Sequence, residues 1–478
     1  MGEAVADTVP RALASLGTPV VDRADRLIVE EALGIPHVAL TRATSLRIGE
    51  ALGASRLLVG TYELADGQLT VSLRLLNVER GTLSAPFISQ GPPEKIIEGL
   101  YGLAWDIALS SPSPPAGNRA EFLKHAPPVA FEALRAYSQA LATGDPKGRL
   151  KLLRRSLTQD PLFDPARLAL GKLHVDSKEY DEAEKILSQV KPASPVARRA
   201  RFLEGVALLG LGRYKEAREL YSALASAGAT PAILNNEAMA LLRLGAGPEK
   251  ASDLLKKAVE LQPGASDLVF NLGWALLMEG EAEASAFWLK GVVREDARDT
   301  NARLLFVWAL RAAKRDDEAA EEWRGLTDRA PSLQALASPD FSRRFERILP
   351  SERLVLLDQD RRSDVELAQV CILRSEKLLA SADPEGALRE LVRAATLDPY
   401  GPKVHERMAT LLAARGDKEH ALEELRTSLW CKEDTAVRVE LMVLLKDTGR
   451  VDEARAQAAR ILKLQPGNDA ALKLLPTP

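Results

Sequence analysis

The side chains best suited to metal ligation or nucleophilic chemistry are five histidines, His37, His125, His174, His405 and His420, and two cysteines, Cys371 and Cys431. None of the histidines falls in an HExxH or comparable spacing, and the cysteines form no CxxC pair, so neither a zinc site nor a thiol redox centre is indicated. Cys431, in SLWCKED, has no base arranged near it in sequence, and both cysteines are expected in helices as inert thiols. Gly210 and Gly212 in GLGRYKEA invite a phosphate-loop reading, but the GxxxxGK[ST] spacing and a preceding strand are missing. No GxSxG occurs. Paired acids such as Glu321 and Glu322 are what a solvated helix face shows. The expectation is therefore of no catalytic residue, no metal site and no cofactor, and of a chain that works by binding.

What would position a binding surface is a repeated unit. An alanine follows a short charged run in YDEA, YKEA, PEKA, DDEA, PEGA, KEHA and VDEA, giving Ala183, Ala217, Ala251, Ala319, Ala387, Ala421 and Ala454, with Ser285 in phase between the third and fourth. The spacings are 34 four times, then 68, 34 and 33. Pro161, Pro195, Pro263, Pro331, Pro399 and Pro466 keep the same period, the last one residue short. Each period reads as a helix, a Gly-containing turn, a second helix and a proline stop. Gly273 and Ser285 fall where two helices must approach closely.

These features, GWALLMEGEAEAS, GVALLGLGRYKEA with AVELQP, and LLAARGDKEHA, resemble the tetratricopeptide repeat, a 34-residue helix-turn-helix unit. The resemblance covers about Val129 to Pro478 and implies a mainly α superhelix, an α-solenoid of nine recognisable units. Gly245, Ala246 and Gly247 read as one inserted residue in a turn, and VREDARD and CKEDTA replace the proline stop. Residues 332–365 fill one period but carry Arg353 where the alanine belongs; a degenerate unit or irregular helical spacer is expected there, with a bend in the superhelix. By the same resemblance the concave side is lined by the first helix of each pair. Its fifth and ninth positions give Phe202 and Val206, Asn235 and Met239, Phe270 and Trp274, and Leu304 and Trp308. One reading packs these aromatics between neighbouring helices. The other makes a groove for an extended peptide or amphipathic helix, with Phe270, Trp274 and Trp308 as anchors and Asn236 and Asn271 bonding its backbone. The Lys and Asn pairing that would capture a C-terminal carboxylate is absent.

Residues 1–110 lack the period. Ala4 to Leu16 and Ser45 to Leu52 read as helices, Pro19 to Asp22 as a short strand, and Pro93 to Leu109 as a helix. Arg56 to Leu64 and Gln68 to Val78 form a hairpin through Ala65, Asp66 and Gly67. Leu69, Val71, Leu73 and Leu75 alternate with Thr70, Ser72 and Arg74, so one face is expected beneath helices. Gly53, the LLVG of Leu57 to Gly60, LTVSLRLLNVERG and LYGLAWDIA together resemble the amino-terminal α/β domain of TolB-like and FlgO-like bacterial proteins, which implies a bacterial source and an envelope or signalling association. Members of that family usually begin with an apolar strand ahead of the first helix. This chain opens on MGEAVADTVPRALASL, so a sheet edge is expected to lie uncovered and the native start further upstream. The domains expected are 1–110, a Ser-, Pro- and Gly-bearing linker at 111–128, and the repeat array at 129–478.

The 478 residues carry 64 basic and 67 acidic side chains, a net charge of −3 that gives no field for nucleic acid or an anionic membrane. No window reaches the length of apolar chain a membrane span needs. Asp7, Arg11, Asp22 and Arg23 interrupt any signal peptide, so a cytoplasmic location is expected for the chain as given, and a periplasmic or envelope one if the start lies upstream. The leading expectation is a non-enzymatic scaffold or adaptor of bacterial type that holds protein or peptide partners. The alternatives are an envelope-associated sensor whose α/β domain takes a small ligand, and a regulatory part of a signalling enzyme complex. Oligomeric state is not legible.

Overall fold

The computed structural model describes every residue except 22, 33–34, 36–41, 112–113, 246–247, 337, 341–342, 353–364, 399 and 475–478. Its chain forms two units, one of residues 1–244 with 348–358 and one of 245–347 with 359–478.

The first unit opens with α1 (Gly2–Ser15), α2 (Arg23–Ala32) and α3 (Arg42–Ala51), followed by β1 (Arg56–Ala65), β2 (Gln68–Asn77) and β3 (Phe87–Gly91). The three strands are antiparallel with β2 in the centre, and Ala65 pairs with Gln68. That register leaves a two-residue turn in which both residues have positive φ, 50° at Asp66 and 70° at Gly67, the geometry whose twist matches two flanking strands. Leu69, Val71 and Leu73 are buried in one core with Ala4, Val5, Val9 and Ala12 of α1 and with Ile97, Leu100 and Ala104 of α4 (Ile96–Leu109). Among the described residues no strand pairs with the outer edge of β1.

Two elements differ from expectation. Pro19 to Val21 form no strand, Asp22 lies outside the described residues, and α2 follows directly. The third strand, FISQG, is too short and too polar to announce itself by alternation, and owes its conformation to pairing with β2 from Leu69↔Gly91 to Leu73↔Phe87.

Packing continues from this sheet into the repeats. Within 111–128, α5 (Arg119–Leu123) places Phe122 against Tyr101 at 5.4 Å, and Arg119 pairs with Asp106 at 3.2 Å. The core of α1, β2 and α4 also takes in Ala133, Leu134 and Tyr137 of α6 (Phe131–Ala142), Leu153 of α7 (Pro146–Gln159), and Ala166 and Leu170 of α8 (Asp164–Asp176). The unit continues with α9 (Tyr180–Leu187), α10 (Ala197–Gly210), α11 (Tyr214–Ser226) and α12 (Pro231–Leu244).

The second unit holds α13 (Pro248–Leu261), α14 (Ser266–Glu279), α15 (Ala282–Glu295), α16 (Thr300–Ala312), α17 (Asp316–Arg329), α18 (Val365–Ala380), α19 (Pro384–Leu397), α20 (Pro402–Ala414), α21 (Lys418–Cys431), α22 (Thr435–Asp447), α23 (Val451–Leu464) and α24 (Asp469–Leu472). The fold is therefore mainly α, a solenoid of helix pairs preceded by a small antiparallel sheet. Gly280, at φ 83°, closes α14 in the left-handed conformation and lets the chain reverse into α15. The close approach expected at Gly273 is present. A Cβ there would stand 2.6 Å from Leu289 Cγ, and the Ser285 hydroxyl donates to the Gly273 carbonyl at 2.7 Å. Gly273→Val should lower the stability of the chain by about 1–3 kcal/mol, read from the urea midpoint; an unchanged midpoint would mean that α15 has room to retreat.

Where the proline stop is missing, aspartate takes over the boundary: Asp299 accepts from the Ala302 N–H and Asp434 from the Ala436 N–H. Of the period 332–365, where a degenerate unit or irregular helical spacer is expected, residues 353–364 lie outside the described residues. Pro331–Leu336 is a short 3-10 turn, and 343–352 contains neither helix nor strand. Pro339 and Pro350 explain part of this, because each disfavours helix for the residue before it and lacks an N–H itself. Arg353, and the Ala246 and Gly247 of the inserted turn, lie outside the described residues.

Candidate functional site

In the second unit the first helices of two successive pairs present one surface. The helical period brings Asp267, Phe270, Asn271 and Trp274 to one side of α14, while α16 contributes Trp308 and, at its cap, Asp299. The extended stretch from Phe345 to Arg347 lies against them. Phe345, only 4% exposed, sits 5.1 Å from the Trp274 ring and edge-on to Trp308 at 5.6 Å. The Trp308 indole Nε1 donates to the Leu336 carbonyl at 3.0 Å. Asn271 grips the main chain twice: Oδ1 accepts from the Arg347 N–H at 3.0 Å and Nδ2 donates to the Arg347 carbonyl at 2.8 Å. The Arg347 guanidinium lies 3.6 Å over the Phe270 ring, donates to Asp267 at 2.8 Å, and also pairs with Asp299. A cation on an aromatic face between two carboxylates is strongly held, because each contact favours the same charge.

In the first unit Asn236 makes the same double grip on Leu349. The Leu349 N–H donates to Oδ1 at 2.9 Å, and Nδ2 donates to the Leu349 carbonyl at 2.9 Å. The Asn236 amide has two further bonds, Nδ2 to the Tyr221 hydroxyl and Oδ1 from Asn235 Nδ2, each at 3.1 Å. All four of its hydrogen-bonding positions are filled. Tyr221 in turn donates its proton to the Phe202 carbonyl at 3.0 Å, and burial pushes its hydroxyl well above the ordinary range, so it stays neutral. Arg198 of α10 pairs with Glu352 at 2.6 Å. Burial also raises the carboxyls of Glu204 on α10 and Glu237 on α12 above their ordinary value.

The eight residues expected to face a partner thus divide. Phe270, Asn271, Trp274 and Trp308 meet the chain's own segment in the second unit, and Asn236 meets it in the first. Phe202 packs edge-on against Tyr221 at 5.7 Å, Asn235 supports Asn236, and Met239 is fully buried in α12. Sequence reasoning missed Asp267, Asp299, Tyr221, Arg198 and the segment itself. The signal for the segment was present in RRFERILP, an aromatic, basic and aliphatic run in the one period without a repeat.

Among the described residues no three His, Cys, Asp or Glu gather to hold a metal ion. No helix among them is long and apolar enough to cross a membrane. Burial raises both Cys371 and Cys431 above the ordinary thiol range, which disfavours the reactive thiolate.

Tetratricopeptide-repeat family models match the chain over residues 140–203, 198–222 and 235–300. No curated protein matches it. Among solved structures, YrrB, described as a TPR protein with an unusual peptide-binding site, is 18% identical over 37% of this chain and 92% of its own, with a TM-score of 0.33. MamA from Desulfovibrio magneticus is 21% identical over 35% of this chain and 95% of its own, with a TM-score of 0.32. A tetratricopeptide repeat protein from Parabacteroides merdae is 15% identical over 58% of this chain and 97% of its own, with a TM-score of 0.31.

Proposed function

We propose that this tetratricopeptide-repeat chain is a non-enzymatic scaffold or adaptor of bacterial type, holding an extended stretch of a protein partner on the first helices of its pairs. The observation that supports this most directly is the double grip of Asn271 on Arg347 and of Asn236 on Leu349. A side-chain amide bonding both the N–H and the C=O of one residue recognises main chain, which any extended peptide offers. Phe270, Trp274 and Trp308 then supply the anchoring surface. The amino-terminal module, read as TolB- or FlgO-like, docks to a second component.

The test is an array of short peptides probed with the labelled full chain and with the N236A/N271A double variant. Peptides retained by the native chain should be lost by the variant, at about tenfold or more in apparent affinity. Equal retention by a variant that keeps its native circular dichroism would overturn this reading.

One observation favours the sensor alternative. The first unit contains a cavity of about 740 Å³ lined by Arg11, Arg23, Arg26 and Arg149 together with Glu3 and Glu30, a volume ordinary for a small-molecule site. A ligand-induced rise in the melting temperature of the full chain, with no effect on peptide retention, would support it.

A further inference from the structure

We infer that residues 343–347 are a built-in ligand that keeps the binding surface of the second unit occupied, and that the partner displacing them presents an extended run with an aromatic residue and a cation two positions on. This deepens the reading above and rests on it.

The contacts of the segment have the character of a ligand's. The N–H and C=O groups of Arg347 are met by the Asn271 amide and not by a helix's own backbone bonding. Another extended chain running the same way satisfies that amide equally well, so the grip on residue 347 is exchangeable by its chemistry. Helix pairs elsewhere in the array are joined instead by short turns and packed cores, which no partner can replace.

What is selective lies in the side chains. Phe345 fills the space bounded by Trp274 and Trp308, where only a flat, apolar group makes both ring contacts. Arg347 is held over Phe270 and by Asp267 and Asp299. A neutral residue there leaves two acids facing each other's charge. The spacing of Phe345 and Arg347 is that of an extended chain, whose successive side chains point to opposite sides.

Asp299 strengthens the case. The array departs there from its usual proline stop, and the aspartate caps α16 through one oxygen while holding Arg347 with the other. A cap alone needs only the first.

A segment already in place reduces the apparent affinity for a partner in proportion to the time it occupies the surface. The test uses the full chain and a fluorescent peptide of sequence RRFERILPSE, residues 343–352, in an anisotropy titration. The F345A/R347A variant should bind this probe about tenfold or more tightly than the native chain does, and a probe with alanine for its third arginine should lose about as much again. Equal binding of the probe by both chains would overturn the built-in ligand and leave the peptide-binding reading standing. Failure of both chains to bind would overturn both. Should the variant misfold, hydrogen exchange on the native chain decides: excess probe should raise deuterium uptake in 343–347, and unchanged uptake overturns the inference.

Discussion

Replacing Trp274 and Trp308 together by alanine should lower the stability of the second unit by about 3–5 kcal/mol for each indole, less than additively because both rings pack on Phe345. The two indoles are 2% and 0% exposed, so each substitution removes a large buried surface and leaves a void. Urea unfolding followed by circular dichroism reads the stability, and the same variant reports peptide retention. Loss of both properties is expected. If stability falls while retention is unchanged, the indoles belong to the packing of the array alone. If retention falls with an unchanged midpoint, they are free walls of the groove and the segment contributes nothing to the fold.

The second large effect concerns the start of the repeats. A chain of residues 129–478 should aggregate or melt far below the full chain, although repeat periodicity alone makes this an inviting place to cut. Ala133, Leu134, Tyr137, Leu153 and Leu170 share one core with α1, β2 and α4. Each large side chain among them loses roughly 1.5–3 kcal/mol when its cover is removed. Tyr137 also loses the hydrogen bond to Asp7 at 2.7 Å, and the Leu141 carbonyl loses Arg23 at 3.1 Å. A cooperative, soluble 129–478 fragment with a melting temperature near that of the full chain would show that this shared core is dispensable. Terminal repeats generally need a polar cap, and the sheet with its two helices fills that place.

The helix pairs and the hairpin were legible because each rests on a local, periodic signal: the phase of Ala183, Ala217 and their successors for the helices, and the alternation of Leu69, Val71 and Leu73 around Asp66 and Gly67 for the strands. The element α2 was missed because RADRLIVEEA is short and follows directly on residues expected as a strand, Pro19 to Asp22, and β3 because its conformation comes from its neighbour. Most of the candidate surface followed from the repeat, which fixes the face on which Phe270, Asn271, Trp274 and Trp308 stand. Its occupant did not. Phe345 and Arg347 are placed by partners 37 to 80 residues away in sequence, such as Trp308 and Asp267. No window read along the chain contains such contacts. Asp267 and Asp299 were invisible for another reason, since an acid in the first turn of a helix is ordinary whether or not it holds a cation.

The chain of bonds behind Asn236 has a consequence for direction. An asparagine gripping one residue of main chain could turn its amide over and grip a strand running the opposite way, because reversal exchanges the positions of N–H and C=O. Asn236 is denied that freedom. Tyr221 spends its proton on the Phe202 carbonyl and so can only accept from Nδ2, while Asn235 Nδ2 requires an acceptor and so faces Oδ1. With both faces of the amide assigned, a strand of reversed polarity meets donor against donor and acceptor against acceptor. Through Tyr221 and the amide of Asn235, the Phe202 carbonyl thereby fixes the direction in which the main chain at Leu349 runs past Asn236.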